Sequence, residues 1–442
     1  MGTHSTIKPA LLPGDGQKSG WNAILPDRPA TPLVGNHDAD WVVVGAGFTG
    51  VSCARRLGEL NPGHRIILLD ALPLGFGASG RNSGVVTESL APEGGIKGLS
   101  LQRARDKTRL MNAGTDLLRR QVQEHGIACD WSDKPRIKAS TNPVGESYLR
   151  GLKEGYEKVG TRIDWVTRDE VRHNLGTDFY GSGIAIHGNG IVQPAALLRG
   201  LADNLPPNVL VADASPVIEM SRQAPFRLTL PGATVTCERV MLCCNIFLPQ
   251  FGFGRGRYMF LATHASLTAP MSPEQASRFP LDEPFALVPA IHGAASLRRT
   301  ADNRILMRKS THYANRDLRF DWQALEQVRG AHRKAIDDRW PALRDLPIEH
   351  TWGGIVSYPA NHGQVFGEFA PGLYASSSCC GIGVSLGAIS GTLLAEMACG
   401  EGSALLDIVR AIPAPTPMPP EPMRRYIAEK ALRRSTRKCQ PD

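Results

Sequence analysis

Apolar residues first condense at Trp41-Val-Val-Val44, a short run that ends at a glycine. Val51, Ala54, Leu57 and Leu60 then recur at three-residue intervals. That spacing lines one side of a helix and predicts one over Gly47–Leu60. Asn61-Pro62-Gly63 stops it. A second apolar run, Arg65 to Leu69, closes on Asp70. Strand, turn, helix, turn and strand thus follow within about 30 residues, the length of a βαβ unit.

Further along, helical patterns are predicted near Gly98–His125, Gln193–Asn204 and Phe320–Ile336. Val209–Val211 reads as a strand, as do Tyr258–Pro270 and Ile305–Lys309. Phe226–Leu230 and Thr234–Cys244 read as a hairpin turning at Pro231-Gly232. The last folded unit, Gly372–Gly400, is expected to be a strand, a Gly-x-Gly turn and a helix of small residues. The first 37 residues are rich in Pro, Gly and polar groups, an arm with Trp21 as its anchor. Pro413–Pro422 reads as a linker before a basic tail.

A chain of 442 residues exceeds what one core usually holds, so two domains are expected. Apolar residues at 42% and charged residues at 21% are ordinary for a soluble globular protein. No run approaches the roughly 18 apolar residues of a membrane span, and no secretory pattern opens the chain, so a cytoplasmic protein is expected. The nine cysteines include no Cys-x-x-Cys pair and are read as reduced, packed thiols. The vicinal pairs Cys243-Cys244 and Cys379-Cys380 fit that reading better than a redox relay. The histidines show no metal-ligand spacing, and no metal is expected. Of the net charge of +8, the stretch Glu421–Asp442 supplies half, with seven bases against three acids. A solvated terminal helix accounts for it, and nucleic acid is not the expected partner.

The chemistry concentrates in Gly45-Ala46-Gly47-Phe48-Thr49-Gly50. A bare G-x-G-x-x-G is weak, but this one follows a buried strand, opens a helix and has Asp70 at the end of the next strand. Gly45 permits the tight turn, Gly47 lets backbone approach a pyrophosphate, and Gly50 lets the helix pack closely. The helix N-terminus favours phosphates, and Asp70, with Ala71 after it, would meet the ribose. The fingerprint itself leaves NAD(P) and FAD open. A second glycine-rich loop follows, Gly75-Phe-Gly77-Ala78-Ser79-Gly-Arg81-Asn82-Ser83-Gly84-Val85, suited to running along a flat ligand.

On that loop the sequence resembles the D-amino-acid-oxidase-like superfamily of FAD-dependent oxidoreductases. Its Gly-Ala-Ser-Gly-Arg-Asn-x-Gly string is most similar to the gamma-glutamylputrescine oxidase branch, which includes pipecolate-oxidising enzymes. The lead-in Trp21…Pro32-Leu-Val-Gly-Asn…Ala-Asp40 is similar to that branch too. The resemblance implies an α/β fold: a Rossmann-like FAD domain of the D-amino-acid-oxidase type with an antiparallel-sheet substrate domain. Residues 38–88, 193–251 and 350–410 are expected to form the FAD domain, and residues 89–192 and 252–349 mainly the substrate domain. Residues 1–37 form the arm and 411–442 the linker and tail. Val217 falls in the loop that meets the adenine, and Cys244 ends a strand beside the cofactor. Gly381-Ile382-Gly383-Val384-Ser385 resembles the C-terminal flavin loop, where helix N–H groups stabilise charge at the pyrimidine end of the ring.

Three departures shape the expectation. Arg81 and Trp352-Gly353-Gly354 stand where some relatives attach flavin to histidine or cysteine, so non-covalent FAD is implied. Thr87 and Ser385 stand where sarcosine-oxidase-like members place an arginine and a lysine for the substrate carboxylate, so a plain sarcosine-type substrate is not expected. The lysine that helps O2 react in such relatives has Arg308 and Lys309 as its nearest counterparts, of which only one can face the cofactor. Lys309, Arg308 and Trp352 are the expected catalytic residues, with His264, His312 and Tyr313 as further pocket positions. The implied reaction is hydride transfer from a small amine, imino acid or N-substituted amino acid to flavin N5, with hydrolysis of the imine. O2, a quinone or a protein is the implied acceptor. A flavin enzyme that modifies tRNA and an NAD(P)-binding redox protein are the alternatives.

Overall fold

The computed structural model describes residues 6–14, 18–87, 89–90, 99–279, 283–291, 294–314, 318, 322–377 and 380–438. Cys379 and Cys439 lie outside the described residues. Two large sheets organise the chain. In the first, Gly35–Val44 pairs in parallel with Ile66–Leu69 and Ala233–Leu242. Val209–Ala212 extends it beyond Ile66–Leu69, and Leu373–Ser377 joins Ala233–Leu242, both again in parallel. Val42–Val44 and Ile66–Leu69 are continuous apolar runs because both faces are covered there. Helices Phe48–Leu60 and Ser385–Ala398 pack on one face, with Trp41, Val43, Val51, Leu57 and Leu394 in a shared cluster. Ser385–Ala398 is apolar nearly all round because Leu101–Glu124 covers its outer side.

The second sheet holds eight strands, antiparallel except for Phe285–Pro289 beside Arg136–Ser140. Its two faces differ. Ile137, Leu287, Leu297, Ile305 and Met307 pack with Ala335 and Ile336 of the helix Trp322–Arg339. Ala265, Leu267, Leu306 and Trp352 form the opposite face, against Trp21 of the arm. Strand alternation fixes this division. Consecutive Arg298 and Arg299 illustrate it: Arg298 lies 5.1 Å over the Trp21 ring, Arg299 5.0 Å over Phe279 on the helix side.

Two boundaries differ from expectation. Strand Ile348–Tyr358, expected from residue 350 onward in the FAD domain, pairs along Met259–Thr268 in the second sheet. Helix Leu101–Glu124, expected with the substrate domain, packs on Ser385–Ala398 instead, because Leu110 and Met111 share its apolar cluster. The basic tail forms the helix Met423–Lys438. Glu421 before it accepts from the Tyr313 hydroxyl, Arg424 donates to the Tyr258 carbonyl at 3.0 Å, and the Lys438 carbonyl accepts from Asn142 at 3.3 Å. It is a largely solvated helix, as expected, with Ala428 buried and these bonds tying it to the rest of the chain.

Candidate functional site

The first glycine turn is set by close backbone contacts. Gly45 has a φ of +104°, which glycine adopts without strain. A Cβ on Gly50 would stand 1.7 Å from the Gly45 carbonyl oxygen, so only glycine lets the helix start so near the strand. Asp70 sits behind this turn. Its carboxylate accepts from the Ala46 N–H at 2.7 Å and the Leu72 N–H at 2.9 Å. Burial pushes its pKa up to about 6, against the lowering effect of those N–H groups. The Ser215 N–H donates to the Asp70 carbonyl at 2.7 Å, which brings the Ser215–Val217 loop beside it, with Val217 itself buried. Phe48 is also buried, and Thr49 turns its hydroxyl toward Gly387 of the helix Ser385–Ala398. These two residues therefore offer backbone, not side chain, to a ligand.

The second glycine loop abuts the same helix end. Ser79 Oγ accepts from the Phe48 N–H at 3.1 Å, and Ala78–Gly80 forms a short helical turn. The loop's carbonyls are then taken one after another. Trp352 Nε1 donates to Arg81 O at 3.0 Å, and Trp21 Nε1 to Asn82 O at 2.8 Å. Arg298 reaches Ser83 O at 3.4 Å, Gly84 O at 3.5 Å and the Val192 carbonyl. Arg81 itself donates to Phe76 O at 2.6 Å and Gly353 O at 3.0 Å. Its guanidinium is lowered to about 10 by burial. Val85-Val86 pairs with Gly190-Ile191, ending the loop. The loop is thus held from its carbonyl side.

The C-terminal loop completes the junction. Cys380 and Gly381 both have positive φ, and the Cys380 N–H donates to Ser357 O at 3.2 Å. Ile382, Gly383 and Val384 lead into the helix that opens at Ser385. Ser385 Oγ donates to Thr87 O at 2.7 Å.

The second sheet lies over this junction with its Trp21-facing side. Arg308 shares that side with Leu306 by alternation, and its guanidinium donates to Ser296 Oγ at 2.7 Å. Lys309 shares the other side with Met307 and pairs with His264. Of the two cations, Arg308 is the one on the loop side. Trp352 is corrected from a reacting group to a prop. It is 1% exposed, its ring stands edge-on to Trp21 at 6.4 Å, and its only polar atom is engaged by Arg81. His264 is buried and stacks on His312 at 4.9 Å, and burial holds both imidazoles below their usual range. The Tyr313 hydroxyl binds Glu421 of the tail.

A family description, FAD dependent oxidoreductase (DAO), matches residues 40–397. The chain belongs to this family. Its sequence is 26% identical to gamma-glutamylputrescine oxidoreductase of Escherichia coli over 371 residues, covering 82% of this chain and 84% of that protein. It is 25% identical to the probable oxidoreductase OrdL of Haemophilus influenzae, covering 85% and 86%. Among solved structures, glycine oxidase from Geobacillus kaustophilus superposes with a TM-score of 0.70 at 16% identity, covering 87% of this chain and all of that one. L-proline dehydrogenase from P. horikoshii gives 0.67 at 15% identity, covering 84% and 96%. The D-amino-acid-oxidase type of fold expected from the sequence is the fold observed.

The residues present fit the flavin of this DAO enzyme. The turn at Gly45–Gly50 leaves backbone and a helix end where side chains would otherwise stand, and a Cβ on Gly47 would press on Ser79 Oγ at 2.9 Å. Gly77 faces open space. Trp21, the expected anchor of the arm, clamps the loop through Nε1; Arg298, which also clamps it, carried no distinguishing sequence signal, nor did Arg136, which donates to Thr87 Oγ1 at 3.2 Å. The described cysteines are free thiols; a hydrogen bond with Cys53, then burial, raises the Cys243 thiol, and burial raises that of Cys244, which fits packing beside the turn. Among the described residues no cluster of His, Cys, Asp or Glu could hold a metal, and no helix is long and apolar enough to cross a membrane.

Proposed function

We propose that this oxidoreductase oxidises a small amine, imino acid or N-substituted amino acid with non-covalently bound FAD. The observation that carries the reading is the junction itself. One face of the second sheet, with Arg308 on it, closes over a loop whose carbonyls are held by Trp352, Trp21 and Arg298. The relatives named for gamma-glutamylputrescine oxidation and for proline and glycine oxidation point to the same bond type, the carbon–nitrogen bond of an amine.

When bound, FAD supplies the two-electron acceptor for hydride from the amine-bearing carbon. The protein's part is placement. Gly45, Gly47 and Gly50 would admit the pyrophosphate, and Asp70 would accept from ribose hydroxyls. The start of Ser385–Ala398 would set N–H groups against the pyrimidine end. The sheet face shields the reacting carbon from water and orients it. Neither Arg81 nor Trp352, at the two attachment positions of relatives, can form a covalent flavin link of the histidine or cysteine kind.

Anaerobic titration of the purified flavoprotein against amines, imino acids and polyamine derivatives tests the reading. Loss of flavin absorbance near about 450 nm, a property of the cofactor, is expected with at least one amine class. A flavin that none of them bleaches rejects it.

A further inference from the structure

The helix Met423–Lys438 carries seven bases against Glu429 alone. The bonds of Glu421, Arg424 and Lys438 hold both its ends, and Ala428 is buried beneath it. One side is therefore fixed against the protein, and the helical repeat settles what the other side presents. Met423, Tyr426, Ile427, Lys430, Arg434 and Arg437 fall on the side away from Ala428, and all six are exposed. Glu429 lies on the flank, engaged by Arg425 at 2.8 Å and by Arg433 at 4.0 Å. The helix thus turns outward a side without an acid of its own.

Bases alone would make an ordinary solvated face. The apolar residues among them are what solvation does not explain. Met423 is 56% exposed, Tyr426 60% and Ile427 49%, together on one turn. Lys430 Nζ stands 5.7 Å over the Tyr426 ring. A second apolar and basic group lies beside the helix start. The Gly256 carbonyl accepts from the Met418 N–H at 2.9 Å and from Arg424 at 3.5 Å. The same turn carries exposed Arg255 and Phe253, which packs at 4.8 Å on Phe369, itself 46% exposed.

This mixture matches the interface of an anionic bilayer. Aromatic and aliphatic side chains enter the headgroup layer while lysine and arginine meet the lipid phosphates. Nucleic acid would engage the bases and leave Met423 and Ile427 in water. Among the described residues no helix is long and apolar enough to cross a membrane, so the contact is with the bilayer surface. We propose that the outward side of Met423–Lys438 docks the enzyme on an anionic lipid bilayer, the helix lying along the headgroup layer.

Sedimentation of the full-length, FAD-loaded enzyme with vesicles tests it. The enzyme is expected to sediment with vesicles of phosphatidylglycerol and phosphatidylcholine in equal parts and to stay in the supernatant with phosphatidylcholine alone. The combined variant Lys430→Gln, Arg434→Gln, Arg437→Gln is expected to bind the anionic vesicles about a hundredfold more weakly. Tyr426→Ser with Ile427→Ser is expected to weaken binding about tenfold. Both variants should keep the flavin content and Tm of the wild type, because these side chains face away from the protein. No sedimentation with the anionic vesicles, equal sedimentation with both kinds, or variants that bind as the wild type does would each overturn the docking surface. Binding of bulk tRNA without binding of vesicles would also overturn it, and would give the face to nucleic acid.

Discussion

Ser385 Oγ donates to the Thr87 carbonyl at 2.7 Å across 298 residues of sequence. The contact ties the exit of the second glycine loop to the first turn of the helix Ser385–Ala398. Both residues are buried. Ser385→Ala would leave that carbonyl without this donor, at a cost of roughly 1–3 kcal/mol. The expected outcome is a lower Tm and faster flavin loss on dilution. Unchanged values in both would mean the loop is held without this bond.

Gly50→Ala is expected to abolish FAD binding. Its Cβ would fall 1.7 Å from the Gly45 carbonyl oxygen, a backbone atom that cannot swing aside. Gly63→Ala is the control, since nothing lies within 4 Å of its added carbon. Flavin content after purification reads both. A Gly50→Ala protein with full flavin would show that the turn relaxes and that close packing there is dispensable.

Acid precipitation is expected to release the flavin into the supernatant. The motive is the pair of attachment positions, where Arg81 donates to two carbonyls and Trp352 to a third. Flavin that stays with the pellet would contradict non-covalent binding and direct attention to the cysteines of the C-terminal loop.

The βαβ unit and both glycine loops were legible because their signals are local: an apolar run, a three-residue period and glycines at fixed offsets. The face of the second sheet was not. Arg298 and Arg299 read alike in sequence, yet one clamps the second glycine loop and the other packs over Phe279. Their difference depends on which side of a strand meets which layer, a fact of tertiary pairing. Trp352 was misread for the same reason, since its partner Arg81 is 271 residues away. Strand Ile348–Tyr358 went to the wrong domain because its edge is claimed by Met259–Thr268, a long-range pairing with no local mark.

FAD affinity is expected to fall as pH drops through about 6. Asp70 is raised to about 6 by burial, and its charged form is the better acceptor for ribose hydroxyls. For the flavin-free protein the sign is opposite: a raised carboxyl contributes stability below its unfolded value, and that contribution is lost as pH rises through about 6. Flavin release followed by fluorescence from about pH 8 to about pH 5 should steepen toward at most about tenfold per pH unit. Asp70→Asn should flatten the curve. A wild-type profile that is flat through this window would remove Asp70 from the ribose contact.

Arg308 and Lys309 are expected to behave differently toward O2. The resemblance to oxidases put a cation at this strand, and alternation allowed only one to face the cofactor. Arg308 lies on the side shared with Leu306 and bonds Ser296, while Lys309 lies on the helix side with Met307. A positive charge close to the ring in a water-poor site favours the transfer of negative charge to oxygen. Arg308→Met is therefore expected to slow reoxidation of the reduced enzyme by O2, by about tenfold or more if the charge acts directly. Lys309→Met is expected to reoxidise at close to the wild-type rate. Stopped-flow mixing of photoreduced enzyme with oxygenated buffer measures this without any amine. Slowing in Lys309→Met alone would reverse the assignment of faces. Equal rates in both variants and the wild type would exclude either residue as the oxygen site. A wild type that scarcely reacts with O2 would make the enzyme a dehydrogenase, with a quinone or a protein as acceptor.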